Sequence, residues 1–141
     1  MAGQHGKDAV FKIAQAGNTL TDVSRATTSV TLDRSRATTD VTTFQPPGQS
    51  TEYIGGLRDG SMSANGYIDG STNIDQILSD IDSSSDGLAD FEHGPEGSAS
   101  GNVKYTGQAI LTSYSTPANV DGALEWSAEF QITGQITRST Y

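Results

Sequence analysis

The sequence predicts a mainly β protein carrying one α-helix. Three observations support that class. Hydrophobic residues make up 33% and charged residues 18% of the 141, with 16 glycines and a large stock of Ser and Thr, a composition that suits strands and turns better than long helices. Apolar and polar residues alternate over long stretches of the C-terminal half, the period of a half-buried strand. Between Asn73 and Ile81 the spacing becomes i, i+3, i+4, i+7 through Ile74, Ile77, Leu78 and Ile81, the stripe of an amphipathic helix. A chain of this length has the size of one domain, and 1–141 reads as a single unit.

The elements follow in order. Met1 to Asp8 is polar and contains glycine, so an N-terminal arm (1–8) is expected to be mobile until something docks it. Val10 to Gln15 reads as a first strand ending at the Gly17-Asn18 turn. Ser24-Arg25-Ala26-Thr27-Thr28-Ser29-Val30-Thr31 then recurs as Ser35-Arg36-Ala37-Thr38-Thr39-Asp40-Val41-Thr42, differing only at Ser29 versus Asp40. One pair is too little for a solenoid, and the copies read as two Thr-rich strand-forming stretches. Gln45-Pro46-Pro47-Gly48-Gln49-Ser50 is barred from a sheet interior by its prolines, which places a long inter-strand loop at 44–52.

Tyr53 to Leu57 leads into a strand at Arg58 to Asp69, with Met62, Ala64 and Ile68 on one face and Ser61, Ser63, Asn65, Tyr67 and Asp69 on the other. After the helix come a polar turn (Asp82 to Asp86), a strand (Leu88 to Glu92) and a glycine-rich loop (Gly94 to Gly101). Asn102 to Tyr114 alternates, loses phase near Gly107 and resumes, which predicts a bulge at that glycine. Gly122 to Thr137 alternates more cleanly, with Leu124, Trp126, Ala128, Phe130 and Ile132 against Glu125, Ser127, Glu129, Gln131 and Thr133. The first set belongs to a core, where Trp126 and Phe130 are expected to pack on Ile74, Ile77, Leu78 and Ile81. The second set requires water.

Charge and chemistry exclude several classes. With no cysteine there is no disulfide, thiolate metal site or cysteine nucleophile. Seventeen acidic against eight basic residues leave a net charge of -9, which argues against a DNA-gripping surface, since that depends on Lys and Arg displacing counterions from phosphate. The first residues lack the apolar stretch of a secretory signal, and no apolar run nears the roughly 20 residues that span a bilayer, so a soluble cytoplasmic product without membrane anchoring is expected. His5 and His93, the only histidines, both read as solvated surface residues, and no phosphate loop or HExxH helix is present. No catalytic residue, metal ligand or cofactor is expected. Asp82, Ser84, Asp86, Gly87 and Asp90 match positions 1, 3, 5, 6 and 9 of a calcium loop, but His93 stands where its twelfth-position Glu belongs, and the segment reads as a helix end and polar turn.

Leu20-Thr21-Asp22-Val23-Ser24, Ser29-Val30-Thr31-Leu32, Asp40-Val41-Thr42-Thr43-Phe44 and Tyr53-Ile54-Gly55-Gly56-Leu57-Arg58-Asp59-Gly60-Ser61, in that order, resemble the major tail tube proteins of long-tailed bacteriophages. Ser63-Ala64-Asn65-Gly66-Tyr67-Ile68-Asp69, Gly107 to Tyr114 and Glu129 to Gly134 look like that family's later strands, so the resemblance spans nearly the whole chain. Gln45-Pro46-Pro47 departs from the glycine-containing stretch more usual there. The resemblance implies a β-sandwich or partly rolled β-barrel with one flanking helix. It also implies six-membered rings stacked into a virion tail tube, assembled in the host cytoplasm beside tape measure and tail terminator proteins, through which DNA passes without specific binding.

On that reading Glu125, Ser127, Glu129 and Gln131, with Ser61, Ser63 and Asn65, are expected to line the channel. Phe44, Gln45, Pro46, Pro47, Gln49 and Glu52 are expected to form a ring-stacking loop. Two other readings stay open: the tube of a gene transfer agent or contractile injection system, and a calcium- or carbohydrate-binding β-sandwich module. A module would remain monomeric when concentrated, whereas a tube subunit would form rings or polymers.

Overall fold

A computed structural model describes residues 6–44, 47–68, 72–118, 120 and 122–141. Its strands are β1 (Val10–Gln15), β2 (Thr21–Asp22), β3 (Thr27–Asp40), β4 (Tyr53–Tyr67), β5 (Leu88–Gly94), β6 (Val103–Ser115) and β7 (Glu125–Thr140), with helix α1 (Ile74–Ser83) between β4 and β5. Short 3-10 turns occupy Gly6–Asp8, Ser24–Ala26 and Pro47–Gln49. All seven strands join one sheet in the order β2-β1-β5-β6-β7-β4-β3, each pair antiparallel.

That order forces the sheet to roll. β2 and β3 are the two outer strands, yet only Val23 to Ala26 separates them in sequence. Laid flat, seven strands would hold their outer members about 29 Å apart. The link from Asp22 to Thr27 reaches at most about 18 Å. The sheet therefore curls until its ends approach, as a partly rolled barrel rather than two separate facing sheets. Hydrogen bonds fix the link inside the roll: Val23 N–H donates to Phe11 O (3.0 Å), Phe11 N–H to Ser24 Oγ (2.9 Å) and Trp126 Nε1–H to Ala26 O (2.9 Å).

Glycines permit the bends. The β6–β7 register shifts between Thr106 and Gln108, at the predicted bulge, and a Cβ on Gly107 would press within 3.3 Å of the Phe91 ring. In β7, Gly134 has φ +79, a conformation side-chain-bearing residues resist, beyond the stretch in which β7 pairs with β4.

The core gathers Phe11, Ile13, Val23, Met62, Ile74, Leu78, Ile81, Phe91, Trp126 and Phe130 into one cluster, with Ile77 half-buried against it. Trp126 is 1% exposed and is among the largest fully buried side chains. The backbone of α1 lies closest to β1 and β6 rather than to β7, so Trp126 and Phe130 reach the helix stripe through the shared cluster.

Three expectations need correction. Leu124 is 53% exposed and precedes β7, because its carbonyl is committed to Ile68 N–H (2.9 Å) at the sheet's end. His93 is half-buried in β5, its Nδ1 3.3 Å from Val10 O, and burial holds its pKa below the ordinary histidine value. The repeated octapeptides do not make two strands, since Thr27–Asp40 runs through both as the single strand β3. Met1 to His5 and Asp69 lie outside the described residues, and Gly6–Asp8 forms a turn.

Candidate assembly interface

Two surfaces stand out by their chemistry. The first is a polar face shared by four strands. In the β4–β7 ladder Ser61 faces Gln131, Ser63 faces Glu129, Asn65 faces Ser127 and Tyr67 faces Glu125. The intervening pairs, Met62 with Phe130, Ala64 with Ala128 and Gly66 with Trp126, are buried on the opposite side. Register thus collects all seven expected channel-lining residues on one face. β6 extends it through Ser113 opposite Glu129 and Ser115 opposite Ser127, and β3 through Ser29, Thr31 and Asp33 opposite Asn65, Ser63 and Ser61.

Ser127 is half-buried, and the other six are exposed. Side-chain bonds stiffen the face: Ser115 Oγ to Ser127 Oγ (2.6 Å), Thr28 Oγ1 to Asn65 Oδ1 (3.0 Å), and Gln131 Nε2 to Asp59 Oδ1 (2.6 Å) and Gly60 O (2.8 Å). Asp33, Glu125 and Glu129 bring carboxylates to it, whereas Ser61–Tyr67, Leu111–Ser115 and Glu125–Gln131 contain no Lys or Arg.

Open edges flank this face. β3 pairs only with β4, which leaves its outer edge without a strand partner among the described residues. β5 covers β6 only from Tyr105 to Ile110, so Thr112–Ser115 is likewise open on that side. Unpaired edge groups of this kind are templates for pairing with another chain.

The second surface is an arm. Residues 33–40 of β3 and 53–59 of β4 are exposed throughout, so this hairpin extends beyond the core. Its end is tied by Val41 N–H to Glu52 O (2.9 Å), Glu52 N–H to Thr42 Oγ1 (2.7 Å) and Thr42 N–H to Asp40 Oδ1 (2.8 Å). The last bond, to the Thr42 amide and hydroxyl neighbourhood, holds the Asp40 carboxyl below the usual carboxylate range. Phe44, Gln49 and Glu52 of the expected stacking loop are exposed, only the backbone of Pro47 is described, and Gln45 and Pro46 lie outside the described residues. Val41, Tyr53, Ile54 and Leu57 are also exposed, and Arg36 faces Arg58 across the ladder.

The calcium-like segment is spent on local structure. Asp82 lies in α1, Ser84 Oγ donates to Ile81 O (2.6 Å), Asp86 Oδ1 accepts Leu88 N–H (3.1 Å), and Asp90 accepts Gln108 Nε2 (3.1 Å) and Gly17 N–H (3.2 Å). One charged cluster escaped the sequence reading. Glu92, 8% exposed, meets Lys12 (3.5 Å), Lys104 (3.7 Å) and the Tyr141 hydroxyl (3.1 Å). Burial and the bond to Glu92 push the Tyr141 pKa up to about 12. Alternation carries no signal for such a cluster, which exists only once β1, β5 and β6 lie side by side.

Comparison with known proteins bears on the fold and the family. No curated protein sequence matches significantly. The fold is similar to a subunit from the tail of an empty gene transfer agent particle refined with C6 symmetry: TM-score 0.77, 16% identity, covering 98% of this chain and 100% of that one. The SPP1 tail tube gives 0.69 and 14% identity over 97% and 79% of the two chains, and the anti-feeding prophage baseplate 0.72 and 10% over 99% and 96%. The family profile described as phage tail tube protein matches residues 3–138, so the chain belongs to the phage tail tube protein family and is a structural subunit of a virion tail.

Proposed function

We propose that six copies close into a ring, that rings stack into a tube, and that the β3-β4-β7-β6 polar face lines a channel crossed by DNA during genome ejection. The observation that carries this reading is the β4–β7 register, which puts Glu125, Ser127, Glu129, Gln131, Ser61, Ser63 and Asn65 on one face between two open edges. Edge-to-edge pairing around a ring satisfies both edges and closes on itself. The C6 symmetry of the similarly folded gene transfer agent tail supports the number six.

The wall's chemistry fits passage rather than capture. Phosphates find no fixed cation on β4 or β7 there, and repeated carboxylates repel the DNA backbone over about 8 Å at physiological ionic strength. The subunit acts as a building block, not an enzyme, assembling in the host cytoplasm beside tape measure and terminator proteins. The Phe44 to Glu52 loop contacts the adjacent ring. The same architecture would serve a gene transfer agent or a contractile injection machine, and the cargo of purified tails distinguishes them.

The test is to replace both Glu125 and Glu129 by Lys. Tubes should still assemble, but DNA should be retained and ejection slowed, with recovery at high salt. Ejection at the normal rate in low salt would remove these residues from the channel wall.

A further inference from the structure

The sheet splits where β7 leaves β4. β4 pairs with β7 only from Ser61 to Tyr67, and from Tyr53 to Gly60 it pairs with β3 alone, while β7 runs on to Thr140 against β6. Gly134, at φ +79, lies in the departing limb. That limb curves back over β3, since the Tyr105 ring of β6 lies 5.0 Å from the Arg34 guanidinium carbon. A cavity of about 130 Å³ lies in the cleft, lined by Arg34 and Arg58 on one side and by Ile132, Gly134, Gln135 and Ile136 on the other. Sites for drug-sized ligands start at roughly 300 Å³. At about 30 Å³ per water, this one has room for a few waters or one small ion. A Cβ on Gly60 would meet the buried Ile132 at 3.3 Å, so the cavity belongs to the core side of the sheet and not to the polar face.

The cleft is cationic in an acidic chain. Arg36 faces Arg58 across the ladder, and Arg34 stands two residues along the same strand face, so three of the eight Lys and Arg residues come together. Among the described residues the ion pairs are Lys12–Glu92 and Lys104–Glu92, so no carboxylate lies within ion-pair distance of these arginines. The acids of the same hairpin are engaged or lie apart. Asp59 shares the cavity lining, but its Oδ1 accepts Gly60 N–H (2.8 Å) and Gln131 Nε2–H (2.6 Å). Asp33 faces Ser61 on the polar face, and Asp40 and Glu52 sit at the hairpin's far end, where they bond with Thr42. Stacking on Tyr105 occupies the flat side of the Arg34 guanidinium and leaves its in-plane N–H groups for another acceptor.

We infer that this cleft binds one small oxyanion, with the Arg34 and Arg58 guanidinium groups as its charged donors and the Gln135 amide beside them. The planar N–H donors of arginine match the oxygens of a phosphate or a carboxylate. The bound ion touches β3, β4 and β7 just past the last β4–β7 pair, and so ties these strands where their ladder has ended. The site lies away from the polar face and does not depend on the ring reading. Its occupant is inorganic phosphate from solution or a carboxylate side chain of a second copy, which present the same acceptor oxygens.

The probe is inorganic phosphate, titrated into the intact chain in low-salt, phosphate-free buffer, with chloride at equal ionic strength as the control. Calorimetry should give a saturable one-site curve, and the Gly60 and Gln135 amide signals of the dilute chain should shift along it. Arg34→Gln and Arg58→Gln should each weaken binding about tenfold, the loss expected of one charged hydrogen bond. Arg25→Gln removes an equal charge beyond the other end of β3 and should change nothing. Asp59→Asn keeps the Oδ1 acceptor but removes the negative charge beside the cavity, and should tighten binding. All four side chains are exposed, so circular dichroism should show native folding. Phosphate affinity that holds constant as chain concentration rises assigns the site to the solution ion. Affinity that falls as copies assemble assigns it to a second copy's carboxylate. A curve that chloride reproduces, the lack of any saturable curve, or undiminished binding in both arginine variants overturns the proposal.

Discussion

Ser24–Thr31 and Ser35–Thr42 are nearly the same peptide, yet they live in different environments. In the first, Ala26 is 1% exposed, its carbonyl holds Trp126, and Val30 is half-buried against the core. In the second, Ala37 is exposed and Val41 is 38% exposed on the arm. Local preference is shared, so it cannot account for the difference. The offset of eleven is odd, which reverses the inward and outward positions along a continuous strand. What lies across the ladder also changes, because β7 backs β4 only between Ser61 and Tyr67 and is gone where the second copy begins. One copy is core because other strands cover it, and the other is exposed because none does.

The largest test of that contrast is Trp126→Ala. It removes the side chain that anchors the first copy and should destabilise the subunit by about 3–5 kcal/mol, read as a shift in the urea midpoint. Next come the two glycines facing the repeat's equivalent threonines, Gly66 opposite Thr27 and Gly55 opposite Thr38. A Cβ on Gly66 would lie 1.9 Å from Ala26 O, a backbone atom, whereas on Gly55 it would meet the flexible Arg36 Cδ at 3.1 Å. Gly66→Ala should cost about 1–3 kcal/mol, and Gly55→Ala should fall within about 0.5 kcal/mol of the parent. Equal costs would break the comparison.

Smaller still, Val30→Ala should cost about 1 kcal/mol and Val41→Ala less than about 0.5 kcal/mol, by the same denaturation assay. The smallest effect belongs to Asp40, the one residue by which the copies differ. Its folded pKa lies below the unfolded value, so its contribution is present above the unfolded pKa and is lost as pH falls through the folded one. Exchange of the Thr42 amide proton, followed by NMR, should report extra fraying in that acid window, and Asp40→Ser should abolish the pH dependence.

Much of this molecule could be read from its sequence, and the limits have a physical cause. Alternation in Gly122–Thr137 separates Trp126, Ala128, Phe130 and Ile132, all buried, from Glu125, Glu129 and Gln131, all exposed. The helical stripe and the slip at Gly107 were equally local and equally legible. Period two names faces but not partners, so the alignment of Ser63 with Glu129, the open edges and the Lys12–Glu92–Lys104 cluster could not be foreseen. Nor could the burial of His93, since its polar character says nothing about β1 lying beside it. Proline and glycine marked the 44–52 loop, yet nothing in that signal said that its flanking strands would run on past the core as an arm.

The bond from Trp126 to Ala26 joins residues 100 positions apart, and it governs when the subunit becomes whole. Contacts of such long span make folding slow, since loop-closure entropy is lost before the contact forms. On the ribosome, β3 and β4 can zip into a hairpin early, but the ladder that orders their shared face awaits β7, the seventh of the described strands in chain order. A nascent or prematurely terminated chain therefore has an arm without a finished polar face. Such fragments lack one side of the polar face and the Trp126 anchor together, so a single missing strand removes both the core's long-range tie and the surface beside it.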